Sequence, residues 1–255
     1  LLSFNGMEQY FQTSGRDWER YAWLKARPVA GDIAAGYQLL EALRPFVYRR
    51  YLDFTAIDGL REMKSKIEVE VQRRELADDL KLGRGGIREI EFFVQAMQII
   101  YGGRVKSLQI KGLLPGLQQL QLEGLISDGM HADLKSAYLF LRRLENRVQM
   151  LGDAQVHHLP ESEQALARLA MGLQYAGSRQ LLDEWDGHRG RVQHVFSGLL
   201  SGTADQNPAA AGHAVAADVS AQGLKALAFS RFEYHAERLQ SLCGSSPVAA
   251  RADRS

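Results

Sequence analysis

The chain has 255 residues, 31 Lys plus Arg against 30 Asp plus Glu, and a formal charge of +1. That length can bury a substantial core, and the near-zero charge argues against a dedicated nucleic-acid surface. One cysteine, Cys243, excludes an internal disulfide and fits a reducing, cytoplasmic setting, while the lack of an 18-residue apolar run excludes a membrane helix.

Helical periodicity runs through the chain, and strand-like alternation is nearly absent. The first helix is expected over 3–13, with Phe4, Met7, Tyr10 and Phe11 on one side and Ser14-Gly15 as its stop. Asp17 is the expected N-cap of a second helix through Trp18, Tyr21 and Leu24, which ends before Arg27-Pro28 because proline pushes its predecessor out of the α region. Asp32 caps a third helix, interrupted or bent near Pro45. A fourth, over 56–76, carries the stripe Leu60, Met63, Ile67 and Val71, with Glu62/Lys66 and Glu70/Arg74 on its outer faces.

Lys81-Leu82-Gly83-Arg84-Gly85-Gly86 is a Gly-rich turn before a helix over 87–101, which Gly102-Gly103 ends. Further helices are expected within 112–125, and over 131–151, 161–171 and 179–200. Residues 201–220 are linker-like, a helix covers 224–242, and the end is frayed.

The turn at 83–86 has two readings. Lys81, Arg84 and Arg88 around exposed amides at a helix N-terminus would suit an anion, whereas three glycines equally suit a packed tight turn. It is neither a P-loop nor a dinucleotide fingerprint. On the following helix, Glu91 lies between Ile87 and Val94 of the apolar stripe, with Gln95 one turn on. A carboxylate there needs a partner, through either a salt bridge or a role in a cleft. The seven histidines form no metal-ligand spacing, no nucleophile elbow occurs, and no Asp-x-Asp follows a Gly-Ser turn, so no metal site is expected in the chain.

Lys81 to Gln95 resembles the helical domain of glutamine synthetase adenylyltransferases and, more distantly, PII uridylyltransferases, with Arg84 standing where the family commonly has proline. Gly15 to Ala22 and Lys25 to Asp32 resemble the closing part of the family's nucleotidyltransferase domain, and Arg44 to Asp53 and Leu60 to Lys64 resemble the passage into its helical domain. Trp18-Glu19-Arg20-Tyr21 and Ile87-Arg88-Glu89-Ile90-Glu91 are closer to the adenylyl-removing half than to the adding half.

The resemblance implies a mainly α fold: a helical bundle-like domain (50–200) preceded by the C-terminal remnant of an α/β nucleotidyltransferase domain (1–49). A linker (201–220), a helix opening the segment between the two halves (221–243) and a disordered tail (244–255) would follow. It implies a part in removing AMP from a glutamine synthetase tyrosine by phosphorolysis, which yields ADP, and in adding AMP back from ATP. Mg²⁺ would bind carboxylates upstream of Leu1, leaving this chain inactive alone; the absence of an initiator methionine fits a piece of a longer protein. Arg16, Arg20, Lys25 and Arg27 would face nucleotide or phosphate. Lys81, Gly83, Arg84, Gly85, Gly86, Arg88, Glu89, Glu91 and Gln95 would line the cleft. Glutamine synthetase and the PII signal protein are the implied partners, and the alternative is a non-catalytic helical module that docks on one of them.

Overall fold

A computed structural model of the chain describes residues 2–50, 59, 62–63, 65–67, 69–71, 79–152 and 156–198. Helix α1 (Phe4–Thr13) starts at Ser3, whose hydroxyl accepts the Gly6 amide at 3.2 Å. Helix α2 (Asp17–Lys25) begins one residue earlier than expected: Arg16 is the cap residue, and its amide donates to Glu19 Oε2 at 2.7 Å. Asp32 caps α3 (Ile33–Val47) by accepting the Ala35 amide at 2.9 Å, and Pro45 sits inside that helix. The expected helix over 56–76 is seen where it is described: residues 59, 62–63, 65–67 and 69–71 are helical, with Met63, Ile67 and Val71 buried. Leu60, Arg74, the linker expected over 201–220, the helix expected over 224–242 and Cys243 lie outside the described residues.

Helix α4 (Ile87–Tyr101) is buried along almost its whole length. It is apolar on more than one face, the pattern of a helix enclosed on all sides. Its Ile87, Ile90, Phe93, Val94 and Met97 enter a core built with α5 (Leu113–Leu122), α6 (Asp128–Gly152), α7 (Glu163–Gly172) and α8 (Ser178–Gly198). Its Phe92, Ala96, Ile99 and Ile100 enter a second core with Phe11, Tyr21, Leu24, Leu43 and Phe46 of α1–α3, together with Met63, Ile67 and Val71. Phe196 of α8 reaches this second core and meets Phe92 edge-on at 5.8 Å. A perturbation of α4 therefore reaches both halves of the structure.

The α/β remnant expected over 1–49 is absent. That segment is α1, α2 and α3 packed on one another, and no strand occurs among the described residues. Its local signals already specify helices: Ser3 and Asp32 cap two of them, and Phe11, Tyr21, Leu24, Leu43 and Phe46 recur at helical spacing and are all buried. Among the described residues the extended pairing is one antiparallel bridge, Asp79 with His158.

Candidate functional site

The Gly-rich turn consumes its own hydrogen-bonding groups. Asp79 is buried and accepts the amides of Lys81 and Leu82 at 2.8 and 2.6 Å. The first amides of α4 donate inward as well, Ile87 to the Leu80 carbonyl, Arg88 to Lys81 and Glu89 to Gly86. Glu89 folds back to accept the Gly85 amide at 3.1 Å. Gly85 has φ +69°, and a Cβ there would fall 2.5 Å from Arg189 Cα of α8. Arg189 Nε donates to the Arg84 carbonyl at 2.9 Å, locking turn to helix. This is the geometry of a packed tight turn whose amides are engaged. A cavity of about 420 Å³ beside it is lined in part by Arg84, Glu89, Gln193 and His194.

A different cleft, of about 250 Å³, opens between the end of α2, α4, the loop before α5, and α6. Leu24, Val94, Ile110 and Leu113 give it an apolar lining, and Lys25, Arg27, Lys111 and Glu91 give it three cations and one carboxylate. Lys111 ties the loop across to α2 by donating to the Ala26 carbonyl at 2.5 Å. Glu91 is held between two cations, Lys25 Nζ at 3.2 Å and Arg142 Nη2 at 3.0 Å. Gln98 bridges α4 to the loop, its Nε2 donating to the carbonyls of Leu108 at 2.9 Å and Ile110 at 2.8 Å.

From Glu91 an alternating charge chain runs inward. Arg142 Nη1 meets Glu145 Oε2 at 2.8 Å, and Glu145 Oε1 lies 3.2 Å from His157 Nδ1, a close contact outside hydrogen-bond geometry. Glu145 is buried, so these neighbours offset the cost of taking it out of water. Burial works against the Arg142 charge, but hydrogen bonds to the Tyr138 hydroxyl and Glu145 outweigh it and raise its pKa, keeping the guanidinium cationic. Next door, His158 Nε2 is 3.6 Å from Asp79 Oδ2, so adjacent histidines contact two buried carboxylates from different elements.

The residues singled out in the sequence therefore divide. Lys25, Arg27, Glu91 and Gln95 come together in the smaller cleft. Arg84 and Glu89 border the larger cavity, while Lys81, Gly83, Gly85, Gly86 and Arg88 build the turn and the start of α4. Arg16 caps α2 on the surface, and Arg20 is 2% exposed with its guanidinium 5.2 Å above the Phe46 ring. Sequence reasoning missed Lys111, Tyr138 and Arg142. The i,i+3 pair Arg142/Glu145 was a local sign that a charge sits on the inner edge of α6, but no local pattern could aim it at Glu91.

Residues 61–200 match the family model described as GlnD PII-uridylyltransferase, and residues 1–42 match that described as glutamate-ammonia ligase adenylyltransferase. Both descriptions name transferases of a nucleotidyl group, and the chain matches family models of that class. It is 61% identical over 200 residues to the bifunctional glutamine synthetase adenylyltransferase/adenylyl-removing enzyme of Xanthomonas campestris pv. campestris (strain B100), covering 78% of this chain and 21% of the relative. The proteins of the same name from Stenotrophomonas maltophilia (strain K279a) and Pseudomonas putida (strain KT2440) are 58% and 49% identical over 200 and 207 residues. Those matches cover 78% and 81% of this chain and 22% and 21% of the relatives. The chain belongs to the family of bifunctional glutamine synthetase adenylyltransferase/adenylyl-removing enzymes. It spans about a fifth of the length of these relatives.

Proposed function

We propose that the chain is the helical part of the adenylyl-removing half of such an enzyme, and that its smaller cleft serves the phosphate-bearing reactants. The observation that carries this is the meeting of Lys25 and Arg27, from the end of α2, with Glu91 and Gln95 on α4. In the removing reaction an orthophosphate oxygen would bond to the AMP phosphorus. The bond from phosphorus to the tyrosine oxygen would break, releasing ADP and a tyrosine that regains its proton. Cations beside such a site would stabilise the charge spread over the phosphoryl oxygens.

The Mg²⁺ that the family resemblance implies does not fit the described residues. Among them no group of three His, Cys, Asp or Glu side chains converges, Glu91 and Glu145 are held by cations, and Asp79 caps two amides. The carboxylates that would hold Mg²⁺ belong, on this reading, to another part of the enzyme.

The test compares this chain with one extended at its N-terminus, measuring phosphate-dependent release of ADP from adenylylated glutamine synthetase. The extended chain should be active and this chain inactive; turnover by the 255-residue chain, or none by the longer one, overturns the reading. A docking role towards glutamine synthetase or PII has one observation in its favour: Val29, Ile33 and Tyr37, around the start of α3, are 76%, 40% and 52% exposed. Capture of either purified partner, lost on replacing Val29 and Ile33 with Ser, would support it.

A further inference from the structure

Exposed cations on several helices of this fold are paired along the chain. Lys66 meets Glu62, Arg44 meets Glu41 and Arg189 meets Asp186, each pair three or four residues apart. The solvent face of α6 departs from that pattern. Lys135, Leu139, Arg143 and Arg147 follow one another at four-residue intervals and are all exposed, so they form one continuous stripe. None of the three cations has a carboxylate three or four positions away, and none makes an ion pair among the described residues. Arg143 and Arg147 instead repel one another across one turn, which works against the helix.

Apolar groups on the same stripe are open to solvent. Leu139 sits between Lys135 and Arg143 and is 44% exposed, while Met150 and Leu151, one turn past Arg147, are 71% and 50% exposed. The opposite side of α6 packs into the core through Leu134, Leu141, Leu144 and Val148, and the outward apolar groups belong to neither core. The helix's own carboxylates are engaged elsewhere: Glu145 is buried against Arg142, Asp128 accepts from Gln121, and Asp133 lies beside Arg191. A partner that covers this face therefore brings apolar side chains for Leu139 and Met150 and carboxylates for the cations around them. From Lys135 to Met150 the stripe is roughly 22 Å long, the length of a four-turn helix. An anionic membrane would call for a wider apolar face than Leu139, Met150 and Leu151 supply. A nucleic-acid backbone would set its phosphates against Leu139 and Met150 in the middle of the contact.

We propose that the outer face of α6 docks an acidic amphipathic helix of a partner protein. That helix lays its apolar side on Leu139 and Met150 and sets its carboxylates against Lys135, Arg143 and Arg147. The smaller cleft takes Tyr138 from another side of α6, so this inference does not rest on the phosphate chemistry proposed there.

The probe is a labelled synthetic helix of about 18 residues, long enough to cover the stripe, with leucine along one face and glutamate elsewhere. A counterpart carries lysine for every glutamate, and fluorescence anisotropy follows the binding of each to the 255-residue chain. The acidic helix should bind at least roughly 10-fold more tightly than the basic one, with the difference shrinking in high salt. L139S/M150S should weaken the acidic helix by about 10-fold, and R143E/R147E should turn the preference towards the basic helix. All four positions are exposed, so both variants should keep the wild-type circular dichroism and Tm. A fall in Tm would place these side chains in the fold's own packing and overturn the proposal. No binding, equal binding of the two helices, or acidic-helix binding unchanged in either variant would overturn it as well. Co-sedimentation with vesicles of phosphatidylcholine and phosphatidylserine, without binding of the acidic helix, would assign the face to a membrane instead.

Discussion

Replacing Gly85 with Ala tests the contact that fixes the turn to α8. Gly85 and Gly124 share nearly the same backbone, with φ +69° and +68°, but differ in surroundings. A Cβ at Gly124 meets nothing within 4 Å, whereas at Gly85 it would fall 2.5 Å from both the Cα and the carbonyl oxygen of Arg189. Both substitutions cost the left-handed strain of an L-residue, about 1–2 kcal/mol. Only Gly85→Ala adds backbone-to-backbone overpacking, about 1–3 kcal/mol, because no flexible side chain can move aside. The expected losses are thus about 2–5 kcal/mol for Gly85→Ala and about 1–2 for Gly124→Ala. For a fold of this size these correspond to roughly 5–15 °C and 2–6 °C in Tm. Urea and thermal denaturation followed by far-ultraviolet circular dichroism measure both. Equal losses for the two variants would refute the close approach of the turn to α8, and a Gly85→Ala variant within about 0.5 kcal/mol of wild type would refute the strain as well.

The charge chain should show a steep gradient from surface to interior. Lys25→Ala removes an exposed ion pair and should shift urea stability by less than about 0.5 kcal/mol, the shift shrinking further in high salt. Glu145→Ala leaves Arg142 and His157 without their shared buried carboxylate and should cost about 2 kcal/mol in the same assay, an expectation that a near-neutral result would sink. His188 stacks on Phe140 at 4.6 Å, 3.2 Å from Glu184 and 2.9 Å from an Arg191 nitrogen, with Asp133 behind that arginine. Burial first, then Arg191, lowers its pKa below the ordinary 6.5 despite Glu184 and Asp133, so the native state favours the neutral ring. Its stability is complete above about pH 6.5 and declines as the unfolded chain takes up the proton first, by at most ~1.4 kcal/mol per pH unit. His188→Gln should flatten that part of the stability profile between pH 7 and 5, and an unchanged slope would exclude His188 as its source.

How much of this was legible in the sequence depended on the range of the interaction. The stripe Ile87/Ile90/Val94/Met97 is buried as its 3.6-residue period requires; of the inward set Leu134, Tyr138, Leu141, Leu144 and Val148 on the helix expected over 131–151, all but Tyr138 are buried; and Asp32 caps where its position before an apolar run indicates. The same local rules described 1–49 as helices; the α/β remnant came from the family resemblance, and the local signals were the better guide. Periodicity alone misplaced Phe4, which lies on the expected apolar side of α1 yet is 47% exposed, and gave no sign that Arg20 is only 2% exposed. A charge stacked on an aromatic ring leaves no mark at i,i+3 or i,i+4 when the ring, Phe46, is 26 positions away. The cleft follows the same logic. Glu91 was recognisable as a carboxylate needing a partner, but Arg142 comes from 51 residues onward and Lys111 reaches Ala26 across 85. The sequence thus exposes the unsatisfied member of a buried pair before its partner, because desolvation acts on one residue whereas pairing requires the tertiary fold.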